Sequence, residues 1–174
     1  MGIDRGYCAF LLAMVAMLLA SPAYCAHNHK ASRGPRRLVF YQFENRIVAP
    51  GSSSPVLTNS TTGFLAAVDE PLTEGPSTAS SAVVGRQIGT LSAVFGGSQL
   101  FLYASFDHRI TTAEINGTFL LQGSFDAASP TRLFPVVAGT GDFFLARGFA
   151  TTSFSSGNAT SANAVIRYEV HFTY

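Results

Sequence analysis

Ala164-Val165-Ile166-Arg167-Tyr168-Glu169-Val170-His171-Phe172-Thr173-Tyr174 closes the chain. Along an extended backbone Ala164, Ile166, Tyr168, Val170 and Phe172 fall on one side, and Val165, Arg167, Glu169, His171 and Thr173 on the other. A period of two held over ten residues specifies a strand with one buried face, the kind found in antiparallel sheets. Further strand-like runs lie upstream: Leu38–Glu44, Gly63–Val68, Val83–Ser92, Gln99–Asp107, Gly117–Gln122, Phe134–Val137 and Phe143–Thr152. Turn signals separate them at Gly96-Gly97, Asn116-Gly117, Gly139-Thr140-Gly141 and Ser155–Asn158. About eight strands at this spacing predict a sandwich or barrel. No segment after the first 25 residues carries a 3.6-residue apolar period, so helices should be few. Fifteen Phe and no Trp point to a Phe-rich interior.

Residues 1–25 read as an address rather than as part of the fold. Arg5 supplies a positive start, Cys8–Ala20 is unbroken apolar sequence, and Ser21-Pro22-Ala23 and Ala23-Tyr24-Cys25 offer two cleavage sites. This is the pattern of a secretory signal peptide. About 13 apolar residues fall short of the roughly 20 that a membrane-spanning helix needs. Removing the signal leaves about 149 residues, a lead-in over 26–36 followed by one domain over 37–174. The only cysteines are Cys8 and Cys25, so the stability of the domain must come from packing rather than disulfides. Sequons at Asn59, Asn116 and Asn158 are compatible with glycosylation of a secreted chain.

Charged residues make up 12% of the chain and the formal net charge is +1. No basic face is extended enough to neutralise a nucleic-acid backbone, and the one cluster, Lys30–Arg37, lies in the lead-in. The chain lacks Gly-x-Ser-x-Gly, His-Glu-x-x-His and Cys-x-x-Cys. Gly139-Thr140-Gly141-Asp142 is a tight glycine turn, because Phe143-Phe144 reads as a returning strand rather than the helix a phosphate site requires. His27-x-His29 has no third ligand, and His108 and His171 read as solvent-facing, so neither a metal site nor another cofactor is expected.

What remains is a set of isolated charges in apolar strands. Glu44 ends Leu38–Phe43 on the face of Phe40 and Gln42; Arg132 precedes Leu133–Val137, with Asp126 six residues before it; Arg86 follows Val83-Val84-Gly85. A carboxylate in an apolar cavity is driven toward its protonated form by desolvation and can donate near neutrality. The alternative is that these charges pair with one another, Arg132 with Asp126 for example, or face water at strand ends.

At these residues the sequence resembles the dirigent protein family of land plants. The similarity runs from Arg37 to Tyr174 and is most specific over Arg132-Leu133-Phe134-Pro135-Val136-Val137-Ala138-Gly139-Thr140-Gly141-Asp142-Phe143-Phe144-Leu145-Ala146-Arg147-Gly148-Phe149-Ala150. Phe40-Tyr41, Asp69-Glu70-Pro71-Leu72-Thr73, Val84-Gly85-Arg86 and Ile115-Asn116-Gly117-Thr118 support it. The resemblance implies an all-β fold, a single eight-stranded antiparallel β-barrel assembled as a homo-oligomer, a trimer or dimer. It further implies secretion to the apoplast and work on monolignol-type phenols. A separate laccase or peroxidase makes phenoxy radicals, and the barrel orients them without an oxidising centre of its own. Glu44 and Arg132 match cavity positions, and Phe40, Gln42, Arg86 and Phe125 are the expected substrate contacts. The family's first strand often ends His-Asp where this one ends Phe43-Glu44. Glu44 as acid, Arg132 as anchor and Asp126 are the expected catalytic residues. Some members carry Asp where this chain has Phe125, and alternation could turn Asp126, one step along, away while loop geometry could restore it. Two other readings stand beside this one. They are a non-catalytic module that binds cell-wall glycan, and a cyclase or isomerase acting on a quinone methide or a lipid-derived substrate, as in the allene oxide cyclases.

Overall fold

The computed structural model describes residues 34–45, 56–77, 79–96, 99–158 and 161–174. The proposed signal peptide and His27-x-His29 lie outside them. The described residues form nine strands in chain order: β1 (Arg37–Asn45), β2 (Val56–Ser60), β3 (Gly63–Thr73), β4 (Val83–Gly96), β5 (Gln99–Thr111), β6 (Asn116–Asp126), β7 (Thr131–Gly141), β8 (Arg147–Ser156) and β9 (Asn163–Thr173). Every pairing is antiparallel, and the order β1-β9-β8-β7-β6-β5-β4-β3 returns to its start where β3 pairs with β1. This closed eight-stranded barrel is the fold expected from the sequence. The added ribbon β2 pairs with β3 farther along the same edge, at Asn59–Phe64 and Ser60–Gly63. It was not anticipated, because Val-Leu-Thr-Asn-Ser carries no alternation.

Alternation sorts the side chains. In β9, Ala164, Ile166, Tyr168, Val170 and Phe172 are buried, while Arg167, Glu169 and His171 lie outside. There Glu169 accepts from Arg37 and Arg167, both at 2.8 Å, and the two guanidinium groups hold its pKa down at about 2. Eight strands enclose an interior that side chains nearly fill. One end is plugged by aromatic rings: Phe119 packs on Phe143 at 5.0 Å and on Phe172 at 5.2 Å, with all three buried.

Phe143 reaches that plug from a turn, not from the returning strand expected at Phe143-Phe144. Backbone bonds from Phe143 to Thr140, Phe144 to Gly141 and Ala146 to Phe143 coil the chain over 142–146, and β8 begins only at Arg147. Gly141 (φ 60°) and Gly148 (φ 141°) bracket the turn, and a Cβ on Gly148 would meet the His171 carbonyl oxygen at 1.9 Å. The buried Phe143 side chain fixes the turn, which leaves Phe144 and Leu145 exposed.

At the opposite end the barrel opens. The β6–β7 ladder runs from Gly117–Gly141 to Leu121–Val136, with a register shift next to its last pair. Pro135 stands just beyond, paired with Phe149 of β8. Past this point β6 pairs on with β5 and β7 with β8, so the inward residues of the splayed segment, Phe125 on β6 and Arg132 on β7, face an unfilled interior.

Candidate functional site

A cavity of about 290 Å³ occupies the open end. Its walls are apolar, with Phe64 and Ala66 from β3, Leu91 from β4, Leu100 and Leu102 from β5 and Phe125 from β6. Two charged side chains enter it, Glu44 from the end of β1 and Arg132 from the start of β7. Alternation puts them there: Glu44 follows the buried Phe40 and Gln42, and Arg132 precedes the buried Phe134 and Val136. The Arg132 guanidinium lies between two rings, 4.9 Å from the centre of Phe125 and 4.7 Å from that of Phe154, and Nη2 donates to the Ala127 carbonyl at 3.4 Å. Cation–π contacts on two faces hold the fork in one plane while preserving its charge. Glu44 also borders an open groove of about 690 Å³ lined by Phe43, Asn45, Pro76, Ser156 and Asn163.

Below Glu44 and Arg132 lies a smaller space of about 30 Å³ that also touches Gln42, Phe106, Phe134, Thr152 and Tyr168. Here polar groups replace the apolar wall. The Tyr168 hydroxyl donates to Gln42 Oε1 at 2.7 Å, and Gln42 Nε2 donates to Glu70 Oε2. All three residues are buried. Burial raises the Tyr168 pKa far above that of a free phenol, and the charges of Glu44 and Glu70 raise it further, so the hydroxyl stays protonated. The Gln87 amide, also buried, faces the same hydroxyl without completing a hydrogen bond.

His108 sits deeper. The sequence placed it beside a loop and facing solvent; it lies inside, because β5 continues to Thr111 and the inward series Leu102, Ala104, Phe106 runs on through His108 to Ile110. Its ring stacks on Phe119 at 4.9 Å and 3°, with Phe40 at 5.5 Å and Tyr168 at 5.3 Å. Nδ1 is 3.2 Å from the Phe106 carbonyl oxygen, and Nε2 has no hydrogen-bond partner. Burial lowers its pKa to about 3, an effect the Phe106 contact only partly offsets.

Of the residues singled out in the sequence, Glu44, Arg132 and Phe125 line both spaces and Gln42 lines the smaller one. Phe40 belongs to the packed core, stacked on Tyr168 at 5.0 Å. Arg86 is on the outer wall, where its guanidinium forms a two-point contact with Asp69, Nη2 to Oδ2 at 2.7 Å; its neighbour Gln87 is the inward residue. Asp126 is also exposed and accepts from the Ala128 N–H at 2.8 Å, capping the β6–β7 turn. The one-residue offset turns it away from the cavity, as alternation requires. Asn116 and Asn158 are exposed. Glu70, Gln87, His108 and Tyr168 were not read as site residues. Among the described residues no group of three His, Cys, Asp or Glu side chains is placed to hold a metal ion.

The chain is a closed antiparallel β-barrel with an apolar cavity and a few convergent polar groups at one end. Residues 31–173 match the family model for dirigent-like proteins, and the chain belongs to the dirigent family. It is 31% identical over 110 residues to pterocarpan synthase 1 of Glycyrrhiza echinata, a match covering 62% of this chain and 57% of that protein. It is 32% identical over 123 residues to dirigent protein 21 of Arabidopsis thaliana, covering 69% and 64%. The matches thus span about three-fifths of the length of these curated relatives. The solved structure of the pterocarpan synthase dirigent protein GePTS1 superposes with a TM-score of 0.69 at 26% identity, covering 79% of this chain and 84% of that one.

Proposed function

We propose that this chain is a secreted guide that imparts stereoselectivity on phenoxy-radical coupling of monolignol-type phenols, the chemistry of lignan formation. The carrying observation is the 290 Å³ apolar cavity with Glu44 and Arg132 at its edge. In this reading a separate laccase or peroxidase generates the radicals. One aromatic ring lies among Leu91, Leu102 and Phe125, and the second partner approaches along the groove that meets the cavity at Glu44. Holding two partners in one geometry favours one product with no redox step by the barrel. Arg132 anchors a phenolate or carbonyl oxygen, and Glu44 donates a hydrogen bond or proton to the oxygen on which charge develops. Asn59, Asn116 and Asn158 would carry glycan, and the assembled form would be a homo-oligomer.

The test is an oxidase-driven coupling of coniferyl alcohol with chiral analysis of the products. Enantiomeric excess that rises with added protein supports the proposal, and a racemate at every protein concentration refutes it. The pterocarpan synthases among the relatives favour a second reading on the same residues, closure of a quinone methide within one substrate, with Glu44 as the proton donor. Conversion of a quinone-methide precursor without any oxidase distinguishes it.

A further inference from the structure

The polar chain beneath the cavity has a fixed direction. Gln42 Nε2 donates to Glu70 Oε2, which leaves Gln42 Oε1 turned the other way, toward Tyr168. The Tyr168 O–H is thereby committed to Gln42, and what its oxygen has left to offer is a lone pair. Tyr168 and Gln42 line the 30 Å³ space that shares Glu44, Leu91, Phe125 and Arg132 with the larger cavity. That space is wide enough for a water-sized group. Val68, Phe106, Phe134 and Ile166 add apolar wall, and Thr152 is the remaining polar side chain that lines it.

We propose that this floor is a subsite for a hydroxyl group of the substrate, with the Tyr168 oxygen as the acceptor that selects it and Glu70 as the positioning residue that sets the chain's direction through Gln42. The inference rests on the phenol-binding reading of the cavity above it. A hydroxyl on the ring or the alcohol of the side chain supplies the same donor. An ether oxygen supplies none, and it leaves the Tyr168 oxygen facing only the Gln87 amide, which completes no hydrogen bond with it. Orientation follows: the substrate hydroxyl points down the barrel, and the part that reacts stays beside Glu44 and Arg132.

Equilibrium binding to the full secreted chain tests this with three ligands: coniferyl alcohol, its ring O-methyl ether and its side-chain O-methyl ether. The expected result is that one ether binds roughly tenfold more weakly than the parent, which also identifies the hydroxyl that enters the floor. Tyr168→Phe, which keeps the stacked ring and deletes the oxygen, should abolish that discrimination. Glu70→Gln, which frees the Gln42 amide to turn, should reduce it. A merely steric exclusion of the methyl group would persist in Tyr168→Phe and overturns the proposal. Equal binding of all three ligands by the unaltered protein overturns it without any variant. Absence of binding by all three overturns the phenol-binding reading and this one with it.

Discussion

Replacing His108 by phenylalanine should remove much of the protein's sensitivity to mild acid. His108 is fully enclosed, with Phe119 stacked on its ring at 4.9 Å and Phe40, Phe106 and Tyr168 around it. Its pKa falls from 6.5 to about 3 on folding. The folded state therefore keeps the ring neutral where the unfolded chain takes up a proton. The stability this provides is fully present above pH 6.5 and is lost as pH falls toward 3. Each pH unit in that window removes up to about 1.4 kcal/mol, so the loss is about 2 kcal/mol by pH 5 and about 3 by pH 4. For a domain of this size about 2 kcal/mol lowers the melting temperature by roughly 4–8 °C. Denaturant unfolding at pH 7.5, 5 and 4 measures it. His108→Phe should show a flatter decline by those amounts, whatever its stability at neutral pH, since the comparison is between slopes. Parallel decline of the two proteins would refute the reasoning, because His108 would then titrate alike in the folded and unfolded chains.

Four further outcomes are expected. Glu44→Gln should reduce guided product formation by roughly 10²–10⁴-fold if Glu44 is a positioned proton donor; unchanged enantiomeric excess per folded molecule removes it from the mechanism. Arg132→Leu should weaken phenol binding by about 1.5–3 kcal/mol through loss of a charge-assisted hydrogen bond, read by titration beside a thermal melt; a lowered melt with unaltered affinity would make Arg132 only a fastening for its loop. Phe143→Ala should cost about 3–5 kcal/mol of stability, since it empties a fully buried ring site between Phe119 and Phe172. N-terminal sequencing and glycopeptide mapping of secreted material should find a start near Tyr24 or Ala26 and glycan on at least one of the three sequons; residues 1–20 retained intact would refute secretion by cleavage.

The barrel was legible wherever one face of a strand is apolar. β9 alternates without a break, and β7 does so through Arg132, Phe134 and Val136, so their inward residues could be read directly. β4 could not be read this way. Its inward positions include Gly85 and Gly89, which leave no apolar stripe, and Arg86 could not be told from Gln87. Glu70 and His108 were missed for another reason. Their strands run past the points at which Val68 and Asp107 ended the apolar signal, and a polar residue at an inward position looks like a strand end. Continuing the count of two from Ala66 and Val68, or from Ala104 and Phe106, would have placed both inside. The turn at 142–146 was hidden by its own composition. Phe143, Phe144 and Leu145 read as strand, and only the glycines on either side mark the reversal.

The seam where β1 meets β3 is the ring's clasp. Among the described residues only Tyr41–Thr73 and Gln42–Leu72 pair across it, whereas β3 and β4 are joined along their whole length. Inside, the Gln42–Glu70 bond bridges the same gap, and Thr73 Oγ1 reaches the Tyr41 carbonyl at 3.4 Å. One amide thus belongs both to the lining of the small space under the cavity and to the fastening of the cylinder. A guest that binds only the closed, lined form stabilises the clasp, and anything that springs the clasp disarranges the lining. Occupancy and closure therefore share one free energy, and a bound guest should slow amide exchange along this seam more than anywhere else on the wall.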